Sequence, residues 1–209
     1  MWKMKSKSVL SVLLTVLSVL AASCVDNLEP DDRWIIEPEN VPMFQFDADG
    51  VPYRYENPVL SKEMQETLRK EFVGYGWKWM QTFEIQDDGY LKPDDFYAGL
   101  IGPSPSSLYV KSNTEYVSYF HSDAVNKDVF WQQACSFKPE TGILDDLRIW
   151  SVYTLSGKWY MDCVEPLCQR NAGDGTYKTV WGCSHFVRMT NAELLLMQKT
   201  YTFDYSQHH

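Results

Sequence analysis

The clearest alternation of hydrophobic and polar positions runs over residues 77–85. Its apolar positions share one parity and are Trp77, Trp79, Phe83 and Ile85. Its polar positions on the other parity are Lys78, Thr82 and Glu84, and Gln81 interrupts the apolar set. A period of two is typical of a strand with one buried face. The pattern therefore predicts a strand whose aromatic face packs in the core.

A helical pattern comes directly before this strand. Met64, Leu68 and Phe72 are four residues apart, which places them on one face of a helix. Ser61 is suited to cap the N-terminus of that helix, and Gly74 is suited to end it. We expect a short helix over residues 61–72 that packs against the rest of the domain.

The chain after residue 76 is typical of β structure. The expected strands span residues 77–85, 89–97, 107–112, 115–122, 128–138, 143–155, 158–165 and 177–189. Turn sequences such as Asp87-Asp88-Gly89 and Ser156-Gly157 separate several of them. Many short strands with frequent turns favour a mainly β protein, built as an antiparallel sandwich or barrel.

Smaller elements are expected on both sides of this region. Residues 44–55 predict a small hairpin around an Asp-Gly turn. Thr190-Asn191-Ala192-Glu193 has the form of a capping box and predicts a helix from Leu194 to Lys199. A ninth strand is expected over residues 201–205.

The N-terminus has the parts of an export signal. A basic start is followed by an apolar run from Val9 to Leu20 and by small residues up to Ser23. This run is too short for a transmembrane helix, which needs about 20 residues. We expect a signal peptide over 1–23, an acidic proline-rich tether over 24–57 and one domain over 58–209.

The junction Leu20-Ala21-Ala22-Ser23-Cys24 resembles the lipobox of bacterial lipoproteins, although leucine stands four residues before the cysteine instead of three. The resemblance implies that Cys24 is lipidated and anchors the chain to the outer membrane. The acidic residues that follow it resemble the signal that sends some Gram-negative lipoproteins to the cell surface; they are Asp26, Glu29, Asp31 and Asp32. A solvated linker explains them equally well, so the periplasmic and cell-surface faces both stay open.

Charge limits the partners of the chain. The formal net charge is −9 at pH 7, and loss of Lys3, Lys5 and Lys7 with the signal peptide takes it to −12. An acidic surface is unsuited to nucleic acid, which binds basic surfaces. We expect a monomer whose partners are the membrane, through its lipid, and a small-molecule or glycan ligand.

The order of elements resembles the lipocalin-like (calycin) barrels over residues 61–205. In that family a short helix leads through a glycine-x-tryptophan motif into the first strand, about eight strands follow, and a helix leads to a last strand that pairs with the first. Gly76-Trp77 and Gly76…Trp79 match the motif loosely, and Arg188 stands where the family places an arginine over the tryptophan. The resemblance implies an eight-stranded antiparallel barrel, with these residues at its closed end.

Four side chains are the candidate ligand contacts inside such a barrel. Trp131 and Trp159 share their strand parity with apolar residues and would form an apolar wall, while Tyr116 and His185 would supply polar groups. Each of these residues is also explained by ordinary core packing. The first hypothesis is therefore a lipoprotein that binds a small, partly apolar molecule within a barrel.

The second hypothesis is a surface glycan-binding or structural module of the envelope. It rests on aromatics at polar-parity positions, such as Trp150 and Tyr160. An enzyme is not expected, because the sequence has no nucleophile elbow and no phosphate loop. No metal or cofactor is expected either, because no histidine or cysteine pair has ligand spacing. Asp145-Asp146 is interpreted as part of a solvated loop.

Four cysteines remain when Cys24 is set aside: Cys135, Cys163, Cys168 and Cys183. A symmetric hairpin centred on Gly173 pairs residues whose numbers sum to 346, which places Cys163 opposite Cys183. Opposed strand residues are close enough for a disulfide bond. The hypothesis is a Cys163–Cys183 bond, with four reduced thiols as the alternative.

Overall fold

The computed structural model describes residues 42–54, 60–92 and 106–208. The expected signal peptide, Cys24 and much of the tether lie outside these ranges, as do residues 93–97 of the second expected strand. All described residues belong to one unit, Arg33–His209. Within that described part, none of the helices combines the length and the apolar character needed to cross a membrane.

The protein is mainly β, as expected. The first strands are β1 (Phe44–Phe46), β2 (Pro52–Arg54), β3 (Gly76–Ile85), β4 (Ser107–Ser112), β5 (Glu115–Ser122) and β6 (Lys127–Ala134). The later strands are β7 (Phe137–Lys138), β8 (Ile143–Leu144), β9 (Leu147–Leu155), β10 (Lys158–Asn171), β11 (Tyr177–Arg188) and β12 (Phe203–Asp204). The helices are α1 (Lys62–Glu71), α2 (Asn191–Thr200) and a 3₁₀ helix (Tyr205–His208).

Both expected helices form with the predicted caps. Ser61 Oγ accepts a hydrogen bond from Met64 N at 3.1 Å and begins α1. Thr190 and Glu193 form the reciprocal capping box of α2, in which Glu193 Oε2 accepts from Thr190 N at 2.7 Å. Local side-chain chemistry thus sets where each helix begins.

Several strand boundaries differ from the prediction. The expected strand 128–138 is divided into β6 and β7, and 143–155 is divided into β8 and β9 at Asp145, which has a left-handed φ of 50°. β10 continues to Asn171, well past the expected end at 165. Of the expected strand 89–97, Leu91 makes an isolated bridge with Ile85.

The strands form two sheets. β1 and β2 make a hairpin, and the other ten strands follow the order β12-β6-β5-β4-β3-β11-β10-β9-β8-β7. This order has two ends, so the closed eight-stranded barrel is not confirmed. The last strand pairs with β6 instead of β3, in parallel. The residue that follows it, Tyr205, also packs on this side of the sheet, with its ring 5.4 Å from that of Phe120 on β5.

The large sheet is strongly curved. One core cluster joins Leu108 and Val110 of β4 to Phe137 of β7 and Ile149 of β9, although β3, β11 and β10 lie between them in the strand order. Only a sheet that curls round can bring these side chains together. We call the face that carries this cluster the inner face and the opposite one the outer face.

Helix α1 and the start of β3 fill one end of the inner face. Trp77 is fully buried, and its Nε1 donates to Phe72 O at 3.3 Å. Arg188 is opposite Trp77 in the β3–β11 ladder, as the barrel resemblance implies. Its guanidinium, however, lies 3.2 Å from the ring centre of Tyr75, and Nη1 is 2.9 Å from Glu71 Oε2. Tyr75 therefore takes the closest cation–π contact of Arg188, in the place that the resemblance gives to Trp77 or Trp79.

The predicted single aromatic face of β3 is wrong. β11 pairs Phe186 with Trp79 and His185 with Gln81, so Met80 is an extra residue that forms a β-bulge. Beyond a one-residue bulge, the following side chains change face. Trp77 and Trp79 belong to the inner cluster, whereas Phe83 and Ile85 belong to a second cluster on the outer face.

The β1–β2 hairpin covers this second cluster. Phe44 is buried against it, and the nitrogens of Met43 and Phe44 donate to Gly89 O at 3.0 and 3.1 Å. Gly89 has a φ of +84°, and a Cβ there would lie 1.9 Å from Phe44 O. Only glycine permits this turn and this close backbone contact.

The predicted Cys163–Cys183 bond is also wrong. The β10–β11 ladder pairs Cys163 with Ser184 and Cys183 with Val164, one position away from the symmetric register. A shift of one residue sends the two sulfurs to opposite faces, and they lie in different core clusters. No disulfide joins any of the described cysteines.

The burial of Trp77 gives a direct test of the fold. Trp77→Ala should lower the free energy of unfolding by about 3–5 kcal/mol, because it leaves a large cavity in the inner cluster. Lys78→Ala, at an exposed position of the same strand, should change it by less than about 0.5 kcal/mol. Urea titrations followed by tryptophan fluorescence measure both, and equal effects would contradict the assigned faces.

Candidate functional site

A cavity of about 250 Å³ lies on the inner face, away from the end that α1 fills. Three parts of the chain line it: β4 and β5 form one wall, the β8–β9 turn forms a second and β10 forms a third. The lining residues are Ser106, Leu108, Tyr116, Ser118, Leu144, Asp145, Asp146, Leu147, Glu165 and Pro166. The curl of the sheet brings these walls together from distant parts of the chain.

The β8–β9 turn places two acids at the exposed side of the cavity. Asp145 adopts a left-handed φ of 50°, a conformation that aspartate and asparagine tolerate better than most residues. Its Oδ1 accepts a hydrogen bond from Ser136 N at 3.1 Å, which fixes the turn against the β6–β7 connection. Asp146 follows it and lines the same cavity.

Glu165 stands on the β10 wall, at the end of a chain of hydrogen bonds. Trp79 Nε1 donates to Thr82 Oγ1 at 2.8 Å, and Thr82 Oγ1 lies 2.5 Å from Ser184 Oγ. Ser184 Oγ donates to Glu165 Oε1. Since Ser184 uses its hydrogen on Glu165, Thr82 must donate to Ser184, and every donor in the chain points toward the carboxyl group.

Two opposing effects act on Glu165. Burial raises the pKa of Glu165, because desolvation penalises the charged form, whereas the hydrogen bond from Ser184 lowers it. Burial is the larger effect, so the pKa lies above the usual glutamate value. The hydrogen-bond chain therefore offsets part of the cost of an anion at this position.

Tyr116 supplies a hydroxyl group to the cavity. Burial, with a smaller contribution from the negative fields of Asp145, Cys135 and Asp146, raises the pKa of Tyr116 to about 12. The phenol therefore stays protonated at neutral pH and can donate a hydrogen bond to a ligand. The negative charges of Asp145 and Asp146 thus influence a side chain inside the cavity.

The acids of the cavity have no basic partner within the described ranges. The ion pairs found there join other residues, and none includes Asp145, Asp146 or Glu165. No group of three metal-binding side chains lies close enough to hold a metal ion in that same part of the chain. Among the described residues, the cavity thus carries negative charge that no basic side chain neutralises.

The structure places one of the four predicted ligand residues in this cavity, namely Tyr116. Trp159 packs against the inner cluster near the α1 end, where Arg188 lies 5.8 Å from its ring centre. Trp131 lies beside Tyr205, with 5.9 Å between ring centres. Neither tryptophan lines the cavity.

His185 lies on the outer face, paired with Asp162 across the β10–β11 ladder. Nδ1 of His185 is 2.5 Å from Asp162 Oδ1, and Ser151 Oγ donates to Asp162 Oδ2 at 2.9 Å. His185 is 3 % exposed, and its ring stacks on Tyr160 at 5.3 Å. His185 is therefore a hydrogen-bonded core residue and not a group of the inner cavity.

The sequence analysis missed the acids of the cavity. Asp145 and Asp146 are exposed, as expected of a loop, but the loop borders the cavity. The sequence did contain one indication of Glu165. It shares its strand parity with Met161 and Cys163, which are fully buried. A carboxyl group among buried positions is costly unless it is hydrogen-bonded or paired with a positive charge. Such a residue is therefore a candidate for a binding site.

No protein-family model matches the chain, and no curated protein and no solved structure matches it significantly.

The raised pKa of Glu165 predicts the pH dependence of a neutral variant. Above the folded-state pKa the wild type carries a half-buried charge, so Glu165→Gln should be more stable there. Below the unfolded-state pKa of about 4.3 the glutamate is protonated, so residue 165 is neutral in the wild type and in the variant. The difference between their free energies of unfolding should then vanish. Glutamine keeps an acceptor for Ser184. Urea unfolding at pH 4 and pH 8 checks this, and a variant less stable than wild type at pH 8 would contradict it.

Proposed function

We propose that the protein is a lipid-anchored lipoprotein of the outer membrane that binds a small, partly apolar cation in the inner cavity. The role is binding, not catalysis. The observation that carries the proposal is the convergence of three acids, Asp145, Asp146 and Glu165, on a cavity in which no described lysine or arginine neutralises them. A bound cation would remove that imbalance.

The size of the cavity limits the ligand. Pockets for drug-sized ligands have volumes of about 300–1,000 Å³. At about 250 Å³ the inner cavity is smaller and suits a molecule of few non-hydrogen atoms. The monomer expected from the sequence is sufficient, because one chain supplies every lining residue.

The lining favours an amine with an aliphatic part. Leu108, Leu144 and Leu147 provide apolar contacts. The acids stand on two walls, with Asp145 on the β8–β9 turn and Glu165 on β10, so a diamine could contact both. Charged hydrogen bonds of this kind are stronger than neutral ones.

We further propose that the curved sheet closes into a barrel, as the resemblance implies. The β6–β7 connection supports it, because Cys135 N donates to Thr114 O at 2.9 Å and Phe137 N donates to Asn113 O at 2.8 Å. The chain thus stays against the β4–β5 turn until β7 begins and pairs with β8. We propose that β6 and β7 act as one bent strand that closes the sheet around the cavity.

Amine binding tests the ligand class. Isothermal titration with a series of linear primary amines and diamines should show binding by at least one member, and matched diols should not bind. Asp145→Asn and Glu165→Gln should each weaken that binding roughly 10- to 100-fold, because each removes one charged contact. Asparagine preserves the left-handed backbone and the bond from Ser136.

An exposed acid outside the cavity provides the matched control. Asp123→Asn removes the same charge from a turn after β5 and should leave amine affinity unchanged. If no amine binds, or if the three variants weaken binding equally, the inner cavity is not a cation site.

The proposed anchor has a separate test. Metabolic labelling of expressing bacteria with a clickable fatty acid should tag the wild type and not Cys24→Ala, because the resemblance to a lipobox makes Cys24 the acylated residue. Cys168→Ala, which removes an exposed cysteine of the domain, should be labelled like the wild type. Equal labelling of the Cys24 variant would overturn the anchor.

A further inference from the structure

A second cavity, a groove of about 530 Å³, lies on the outer face. It runs between the β1–β2 hairpin and the first residues of β11. Its lining combines aromatic rings with carboxyl, ammonium and hydroxyl groups: Phe46, Asp49, Gly50, Asp87, Tyr177, Lys178, Thr179 and Trp181. We call it the outer groove.

Two of its rings form a row on β11. Tyr177, Thr179 and Trp181 alternate along the strand and therefore share its outer face. Tyr177 and Trp181 are four residues apart, which is about 13 Å along a strand. Tyr177 is 69 % exposed, so the face of its ring is accessible to a ligand.

The polar groups of the groove stand beside these rings. Lys178 forms an ion pair with Asp87, which leaves the carboxyl group of Asp49 as the uncompensated charge among the lining residues. Thr179 Oγ1 accepts a hydrogen bond from Gln169 Nε2 at 2.9 Å, so its own hydrogen is available to a ligand. The groove thus offers acceptors and donors at the edges of apolar ring faces.

The hairpin that carries the row is held in place. Arg170 makes a bidentate pair with Glu84, at 2.8 and 3.0 Å. Leu167 packs over Gly182 so closely that a Cβ there would lie 2.7 Å from it. A platform held before the ligand arrives loses less entropy on binding.

We infer that the outer groove binds a neutral oligosaccharide. The C–H faces of a pyranose ring pack on flat aromatic rings, and its hydroxyls bond to carboxyl and hydroxyl groups at the ring edges. The uncompensated Asp49 would repel an anionic sugar, so the charge of the groove selects neutral chains. The row of about 13 Å suits several linked sugar units rather than one.

The test uses the purified full-length protein on an array of neutral and acidic oligosaccharides that includes glucans, mannans, galactans and xylans. At least one neutral chain should bind. Tyr177→Ala should weaken that binding by about fivefold or more, because it removes an exposed stacking face. Tyr177→Phe keeps the ring and should stay within about twofold of wild type.

Leu195→Ala, which removes an exposed apolar side chain from α2, is the matched control and should bind like the wild type. Because Tyr177 is exposed, its variants should also keep the wild-type unfolding midpoint. Binding to acidic sugars alone, the failure of every neutral chain to bind, or undiminished binding by Tyr177→Ala would overturn the inference. Amine binding in the inner cavity is independent of each of these outcomes.

Discussion

Met80, the extra residue of β3, determines what each face of the sheet contains. Without it, Phe83 and Ile85 would follow Trp77 and Trp79 to the inner face. The bulge instead sends them outward, where they meet the β1–β2 hairpin and form a second core. It also brings Thr82 to the inner face, where it begins the hydroxyl pair that reaches Glu165. One unpaired residue thus divides a single strand between two cores.

The two ends of the inner face differ in the side chains that this arrangement places there. Near α1, the inner positions are filled by large residues such as Trp77, Phe72 and Phe186. Toward the other end, β3 and β11 contribute the buried hydroxyl residues Thr82 and Ser184, whose hydrogen bonds lead to Glu165 on the cavity wall. Hydroxyl groups also satisfy a carboxyl group that burial would otherwise penalise. Space, polarity and negative charge therefore occur together.

The two faces suit different ligands for electrostatic reasons. Exposed Asp145 and Asp146 and half-buried Glu165 make the inner cavity negative, and burial together with the fields of the two aspartates raises the pKa of Tyr116. The outer groove places exposed rings beside an ion pair, and its charge is nearly balanced. Between these regions, the buried Asp162–His185 pair ties the central strands β10 and β11 together. Losing either partner would leave an uncompensated buried group.

Local chemistry in the sequence determined the helices, most of the strands and the hairpin turns, because caps, glycines and alternation act between near neighbours. Ser61, Glu193 and Gly89 are each explained by residues within a few positions or by one turn. The faces, the register of Cys163 and the partner of the last strand were decided by tertiary structure. A bulge or a shift of one residue costs little locally yet reverses every following side chain, and only packing across the whole sheet selects it. The inner cavity needs the same information, since its walls come from β4, β5, β8 and β10, which the curl alone brings together.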